Sequence, residues 1–553
     1  MRTILSFCLL MCLGWTAVGR SAERPQLIVV ISVDQLAQDY LLRFADNFAE
    51  DGFFRRVFRE GAQYTQCHHR HAITVTAPGH AALLTGSYPH THGIVGNSWF
   101  NRTTGKTADC VGDPQTQIVG APQGTGNSPH NLLVETVGDV LKATNRGRSR
   151  VFGVAIKARA SILMSGQNAD GAIWLDNNLW VTSTYYRNVL PGYIRVLNES
   201  RTIRRFENQT WNLLLPKARY HNNGPDANDW ENPPKGMTGE FPHKLASVGM
   251  VGEAVFGDQV LFSPFGNELT LEPAREIIRY EELGRDGHPD ILCINFSSTD
   301  YVGHAYGPNS LEVEDMTYQT DRLLGQFVEY LDQQVGRGGW VLALTADHGV
   351  APIVEYAVQF KLPARRNPLG KLTDVQARLE SLVRSRLQIP AGGESVVQEV
   401  DDFHVYLRHD HPAWEGGKFE QAQVLVRDWL LNQSGVADAR TRQQLLGSPG
   451  DPIGDALHRA WHTRRCGDVM FVYAPYCVPG DRGTTHGSPW HYDTHVPLLL
   501  LGKGIRAGRF DRPVAPTCLA ATASELLGID YPSANQERPL REAITALDVR
   551  LAE

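Results

Sequence analysis

The chain is poor in cysteine, with 8 among 553 residues, and two of these, Cys8 and Cys12, fall within the first nineteen. None of the other six stands in a C-x-x-C pair, so thiolate metal clusters are not indicated. A strong charge of either sign is also missing. The formal net charge of −7 and the pI near 6.3 give neither nucleic acid nor an anionic membrane surface a reason to bind. Beyond the N-terminal segment no apolar run approaches the ~20 residues of a spanning helix, and there is no internal repeat or low-complexity tract. What is there is an ordinary globular composition, 42% hydrophobic and 9% aromatic, long enough to bury a large core.

Met1–Gly19 reads as a secretory signal, with Arg2 as its positive end, Ile4–Leu13 as its apolar stretch and Ala17-Val18-Gly19 as a cleavage site. An uncleaved anchor and a lipoprotein signal at Cys12 are the alternatives. The expectation is an exported, periplasmic or secreted protein, beginning near Arg20 and soluble in an oxidising compartment. There Cys67, Cys110, Cys293, Cys466, Cys477 and Cys518 could form up to three disulfides, with pairing that spacing does not decide. Cys293, inside an apolar run, is expected to be a reduced core residue.

Leu27–Val33, Ile291–Phe296 and Val341–Thr345 are near-continuous apolar runs, the pattern of strands buried on both faces of a parallel sheet. Each leads into an acid: Asp34 after the first, Asp300 and then His304 after the second, Asp347 and His348 after the third. Ligands bind at that carboxyl edge in open α/β sheets. Helical spacing at Leu132, Val134, Val137, Val140 and Leu141, followed by a strand at Val151–Ile156, continues the βα alternation. Asn309 with Glu312 has the form of a capping box for a long helix. Residues 176–262 and 351–482 have weaker periodicity and read as insertions in one domain spanning 20–553, the second carrying helical stretches near 373–387 and 417–432. The sheet resumes at His495–Leu501, and Cys518–Leu527 reads as the last helix.

Asp34, Asp300, His304, Asp347, His348 and His486 make six oxygen and nitrogen donors. They divide into two sets of three, each with room for an open position, as catalytic zinc requires. Two ions about 4 Å apart can hold both oxygens of an in-line displacement, which fits phosphoryl or sulfuryl transfer. Alone, an acid at a strand end is commonly a helix cap, and Thr76 near Pro78 reads as the start of a helix. Six such groups at equivalent places are what argue for metal.

Thr74–Gly86, Ser297–Pro308 (SSTDYVGHAYGP), Thr345–Val350 (TADHGV) and Gly483–Pro497 (GTTHGSPWHYDTHVP) resemble the alkaline phosphatase superfamily, in particular its exported bacterial monoesterases with Lys-x-Arg in the active site. The resemblance runs from about Gln26 to Pro532. It implies an α/β, alkaline-phosphatase-like fold, a mostly parallel central sheet flanked by helices with inserted lid or cap regions. It implies two Zn²⁺, one on Asp34, Asp347 and His348, the other on Asp300, His304 and His486. Thr76 occupies the nucleophile position, where it would contact one ion and pass through a phosphothreonine; Asn97, Lys157 and Arg159 occupy the phosphate-binding positions. Lys157 stands where other phosphatases keep an ion, so no third, Mg²⁺-type site is expected. Ala158 and Gln167 depart from the pattern, standing where relatives commonly have Asp and many have His.

The residues themselves add that Lys157 and Arg159, two apart beyond a strand, could share one side of an extended segment, with Arg offering a two-pronged donor to phosphate oxygens. The expected function is metal-dependent hydrolysis of small-molecule phosphate monoesters by a monomer with no membrane or nucleic-acid partner. A phosphodiesterase or nucleotide pyrophosphatase on the same fold, and a non-catalytic secreted metal-binding protein, remain the rivals. His68, His69 and His71 could bind adventitious metal but read as a polar entry loop, His80 reads as structural, and Asp493 as a residue supporting a ligand.

Overall fold

The computed structural model describes residues 24–448 and 450–545; the expected signal, Met1–Gly19, lies outside them. Leu27–Val33, Val151–Ala155, Asp290–Phe296 and Trp340–Thr345 form strands buried along their whole length. Such runs can be satisfied only between two layers. Trp340–Thr345, Leu27–Val33, Asp290–Phe296, Val151–Ala155 and Gly171–Asp176 lie side by side in that order, all parallel. Leu498–Gly502 pairs antiparallel with Trp340–Thr345, and Leu179–Ser183 antiparallel with Gly171–Asp176. The eleven-stranded sheet is thus parallel through its middle and mixed over its full width. Helices pack against it, Pro264–Tyr280 and Ala158–Ser165 among them.

Several local expectations shift. The long helix, Leu311–Gln334, is capped by Ser310, whose hydroxyl accepts from Val313 N at 3.1 Å, not by Asn309. Glu312 is buried instead of closing a capping box. The helix near residue 140 starts at Val137, behind a capping box of Thr136 and Asp139, so Leu132 and Val134 precede it. Lys157 and Arg159 are not on an extended segment, because the chain turns into a helix at Ala158 with Lys157 as its N-cap. All six described cysteines are free.

Within residues 351–482, Val397–Val400, His404–Leu407, Val469–Tyr473 and Val436–Thr441 form an antiparallel sheet in that order. Leu372–Leu387 and Lys418–Leu431 pack with it around Val375, Leu379, Val405, Val426 and Phe471. Residues 176–262 contain only short strands and helices. They are tied to the sheet's carboxyl edge by backbone bonds from Asn232 N to Ala305 O, 2.9 Å, and from Gly483 N to Trp230 O, 2.7 Å.

Candidate active site

Four adjacent parallel strands deliver polar side chains to one edge. Asp347 and His348 follow Trp340–Thr345, Asp34 follows Leu27–Val33, Asp300 lies in the first turn of the helix Ser298–Tyr306 that follows Asp290–Phe296, and Lys157 follows Val151–Ala155. His304 stands one helical turn beyond Asp300, on the same face. His486 comes from the loop before Leu498–Gly502 and completes the set. The structure gathers these side chains into two groups, Asp34 with Asp347 and His348, and Asp300 with His304 and His486; within each, one donor atom per residue lies within 4.8 Å of the others. The groups adjoin, because the His348 and His486 rings stack with centroids 3.4 Å apart.

Each imidazole is fixed by its far nitrogen. Nδ1 of His304 donates to Thr484 O at 2.7 Å, that of His486 to Thr74 O at 2.8 Å and that of His348 to Gly349 O at 2.9 Å. A carbonyl can only accept, so the proton sits on Nδ1 and Nε2 presents a lone pair. Those lone pairs face carboxylate oxygens: His304 Nε2 is 3.1 Å and His486 Nε2 3.5 Å from Asp300 Oδ1, and His348 Nε2 is 3.2 Å from Asp347 Oδ2. Acceptors converging on acceptors need a positive centre between them. Asp34 Oδ1, Asp347 Oδ2 and His348 Nε2 are buried with no hydrogen-bond partner, which marks the same need. The residues fit metal ions in both groups.

The electrostatics agree. Burial and then Asp347 push the Asp34 carboxyl well above the usual carboxylate range, with Lys157 opposing. Burial pulls the His348 imidazole down, but Asp347 and then Asp34 and Asp300 outweigh it and push it up to about 9. Burial and neighbouring His348 hold His486 down at about 3. The crowded carboxylates Asp34, Asp300 and Asp347 thus favour the protonated forms of Asp34 and His348, a balance that bound cations would otherwise supply. A pocket with excess negative charge is a poor host for an anion unless cations join it.

Lys157 Nζ lies 2.8 Å from Asp34 Oδ2 and 2.6 Å from Asp300 Oδ2, joining one carboxylate of each group. Burial would strip its proton, yet Asp300 and Asp34 hold its pKa above the usual lysine value, so it stays charged. Arg159, at the second position of the same helix, has its Nε buried without a partner.

Thr76 opens the helix Thr76–Thr85 and is itself buried. It does not cap that helix, since the N-cap position belongs to Val75 and no side chain bonds there. Asn97 Oδ1 accepts from Ala77 N at 2.9 Å, leaving its amide protons free for a ligand beside Thr76. The rest of the Thr74–His80 run has structural reasons. A Cβ on Gly79 would collide with the Asp347 carbonyl oxygen, and His80 Nδ1 donates to Thr76 O at 2.8 Å while standing 3.3 Å from Asp347 Oδ2.

Gln35 is the contributor that sequence reasoning missed. Its backbone is left-handed (φ 68°), its N–H donates to Asp347 Oδ1 at 3.3 Å and its Nε2 to Asp300 Oδ1 at 2.7 Å, so it spans both groups. Only a glycine at 303 leaves space for that side chain. Asp493 accepts from Gly487 N at 3.1 Å and Ser488 N at 2.9 Å, holding the loop of His486. A cavity of about 250 Å³ opens over the site, lined by Val75, Asn97, His304 and His486 together with Tyr473 of the second sheet and Phe403 just ahead of its strand His404–Leu407.

The family model for type I phosphodiesterases and nucleotide pyrophosphatases matches residues 28–475. Over 541 residues the chain is 34% identical to alkaline phosphatase PafA of Elizabethkingia meningoseptica, covering 95% of each. It is 34% identical over 524 residues to alkaline phosphatase PhoV of Synechococcus elongatus, covering 93% of this chain and 92% of that one. The crystal structure of wild-type PafA superposes with a TM-score of 0.85 at 32% identity, over 94% of this chain and 99% of that one.

Proposed function

This chain belongs to the type I phosphodiesterase and nucleotide pyrophosphatase family, on its bacterial alkaline phosphatase branch, and on that premise we propose that it hydrolyses small-molecule phosphate monoesters through a phosphothreonine at Thr76. The observation that carries the reading is the tethering of the Thr76 segment to both donor groups. His486 bonds Thr74 O, and Gly79 and His80 pack on Asp347, so the Thr76 segment is tied to one residue of each group, which supports Thr76 as the nucleophile.

Two zinc ions, one held by Asp34, Asp347 and His348 and the other by Asp300, His304 and His486, would supply the Lewis acidity that makes a threonine hydroxyl and a water nucleophilic at moderate pH. The residues do the rest. The helix N-terminus at Thr76 favours negative charge on its oxygen. Asn97 and Arg159 donate to phosphoryl oxygens and orient the ester for in-line attack. Lys157 favours the ionised forms of Asp34 and Asp300, which it bonds, and its ammonium fills the place that a third cation would otherwise take. A monoester dianion gives this cationic lining more charge to neutralise than a diester does. Gln35 and Asp493 hold the donors in place before substrate arrives.

Export to the periplasm or medium belongs to the same proposal, as does action as a monomer. Thr76→Ala should keep its zinc and lose roughly 10³-fold or more in turnover. Acid quenching of the wild-type protein during turnover should leave phosphate on the Thr76 peptide in mass spectra. Near-normal turnover by Thr76→Ala would rule out the intermediate.

A further inference from the structure

His68, His491 and His495 belong to neither donor group, yet the fold brings their rings together. His68 and His495 oppose each other across an antiparallel bridge, secured by His69 N to Thr494 O and Val496 N to Cys67 O, both 3.0 Å. Residues paired across a bridge project to the same face, and these rings stack with centroids 4.2 Å apart at 12°. His491 precedes His495 by four residues over the turn His491–Thr494, whose last bond is His495 N to His491 O at 3.0 Å. That spacing brings two side chains onto one helical face; their ring centroids are 4.6 Å apart, and His491 lies 5.4 Å from His68.

One nitrogen from each of the three lies within 4.8 Å of the other two. His495 Nε2 donates to Thr65 O at 2.8 Å, which places its proton there and leaves the Nδ1 lone pair free. The contact of His68 Nδ1 with Thr494 Oγ1 is 3.5 Å, too long for a strong bond. His491 is exposed. Three imidazoles converge, one of them open to solvent, so water can take a fourth position.

We propose that His68, His491 and His495 form a third metal site, for a borderline divalent ion such as zinc. An all-nitrogen donor set selects against magnesium and calcium, which take oxygen ligands. The site joins the segment leading to Thr76 to the segment that follows His486, and would act as a staple between them.

The test counts zinc on the folded enzyme. Wild type, His491→Ala and His68→Gln are equilibrated in low-micromolar free zinc, and bound metal per chain is read by atomic emission. The expected result is one ion fewer in each variant, with aryl phosphate hydrolysis by His491→Ala unchanged because His491 touches neither Thr76 nor the two donor groups. The difference between the proteins, not the total, carries the inference, so it can fail while the proposed activity stands. Zinc should also shield His491 of the wild-type protein from carbethoxylation, read by peptide mass spectrometry. Equal zinc content in wild type and His491→Ala, or carbethoxylation of His491 indifferent to zinc, would overturn the site.

Discussion

Single side chains at the carboxyl edge are held by contacts that leave little room for change. Gly79 packs its backbone on Asp347, and Gly79→Ala would drive a methyl into the Asp347 carbonyl. Overpacking of this kind costs about 1–3 kcal/mol, and here the displaced residue is a proposed ligand. Gly79→Ala should therefore lower both the melting temperature and the zinc content, measured together by calorimetry and atomic emission; a fall in one without the other would separate packing from ligation. The six donors were legible in the sequence because each follows an apolar run or a short motif. Gln35 was not. A glutamine after a strand carries no chemical signal, and its left-handed backbone, together with the gap at Gly303 that receives its side chain, becomes visible only when two distant segments meet. The Lys157 pairing was equally hidden, since the sequence showed a basic residue but not the two carboxylates on either side of its ammonium.

Elements were legible in proportion to how completely packing dictates them. The buried strands announced themselves as unbroken apolar runs, and Cys518–Leu527 was read to the residue. Ends were harder. Asn309 and Ser310 are both good caps, and only the backbone decides that Ser310 takes the position. Ser310→Ala should destabilise the protein by about 1 kcal/mol, read from the urea midpoint, whereas Asn309→Ala should leave the midpoint nearly unchanged; the reverse order would return the cap to Asn309. The strands Val397–Val400 and His404–Leu407 escaped notice because four residues are too few to show a stable period. The Lys157–Arg159 stretch misled for another reason. Spacing of two suits an extended chain, but the helix that begins at Ala158 presents Lys157 from its cap and Arg159 from its first turn.

Across the whole molecule, buried carboxyls away from the site set a pH dependence. Burial pushes Glu231 up to about 8 and Asp290 and Asp321 up to about 6. The folded state therefore binds more protons than the unfolded chain between the ordinary carboxylate range and those values, and the stability these groups contribute is present below that range and lost as pH rises through about 6 and then about 8. Urea midpoints should fall from about pH 5 to about pH 9, and Glu231→Gln should flatten the upper part of the decline; an unchanged slope would remove Glu231 as its source. The same scale holds the central claim, that an edge built from four parallel strands becomes a cationic receptor for a dianion once metal is present. The most direct test compares kcat/KM for an aryl phosphate monoester with that for its methyl diester, on zinc-loaded wild type and Arg159→Ala, with and without chelator. The account predicts a chelator-sensitive monoester preference that Arg159→Ala erodes by roughly 10²-fold, with a much smaller loss on the diester. A diester preference, or equal losses on both substrates, would contradict it.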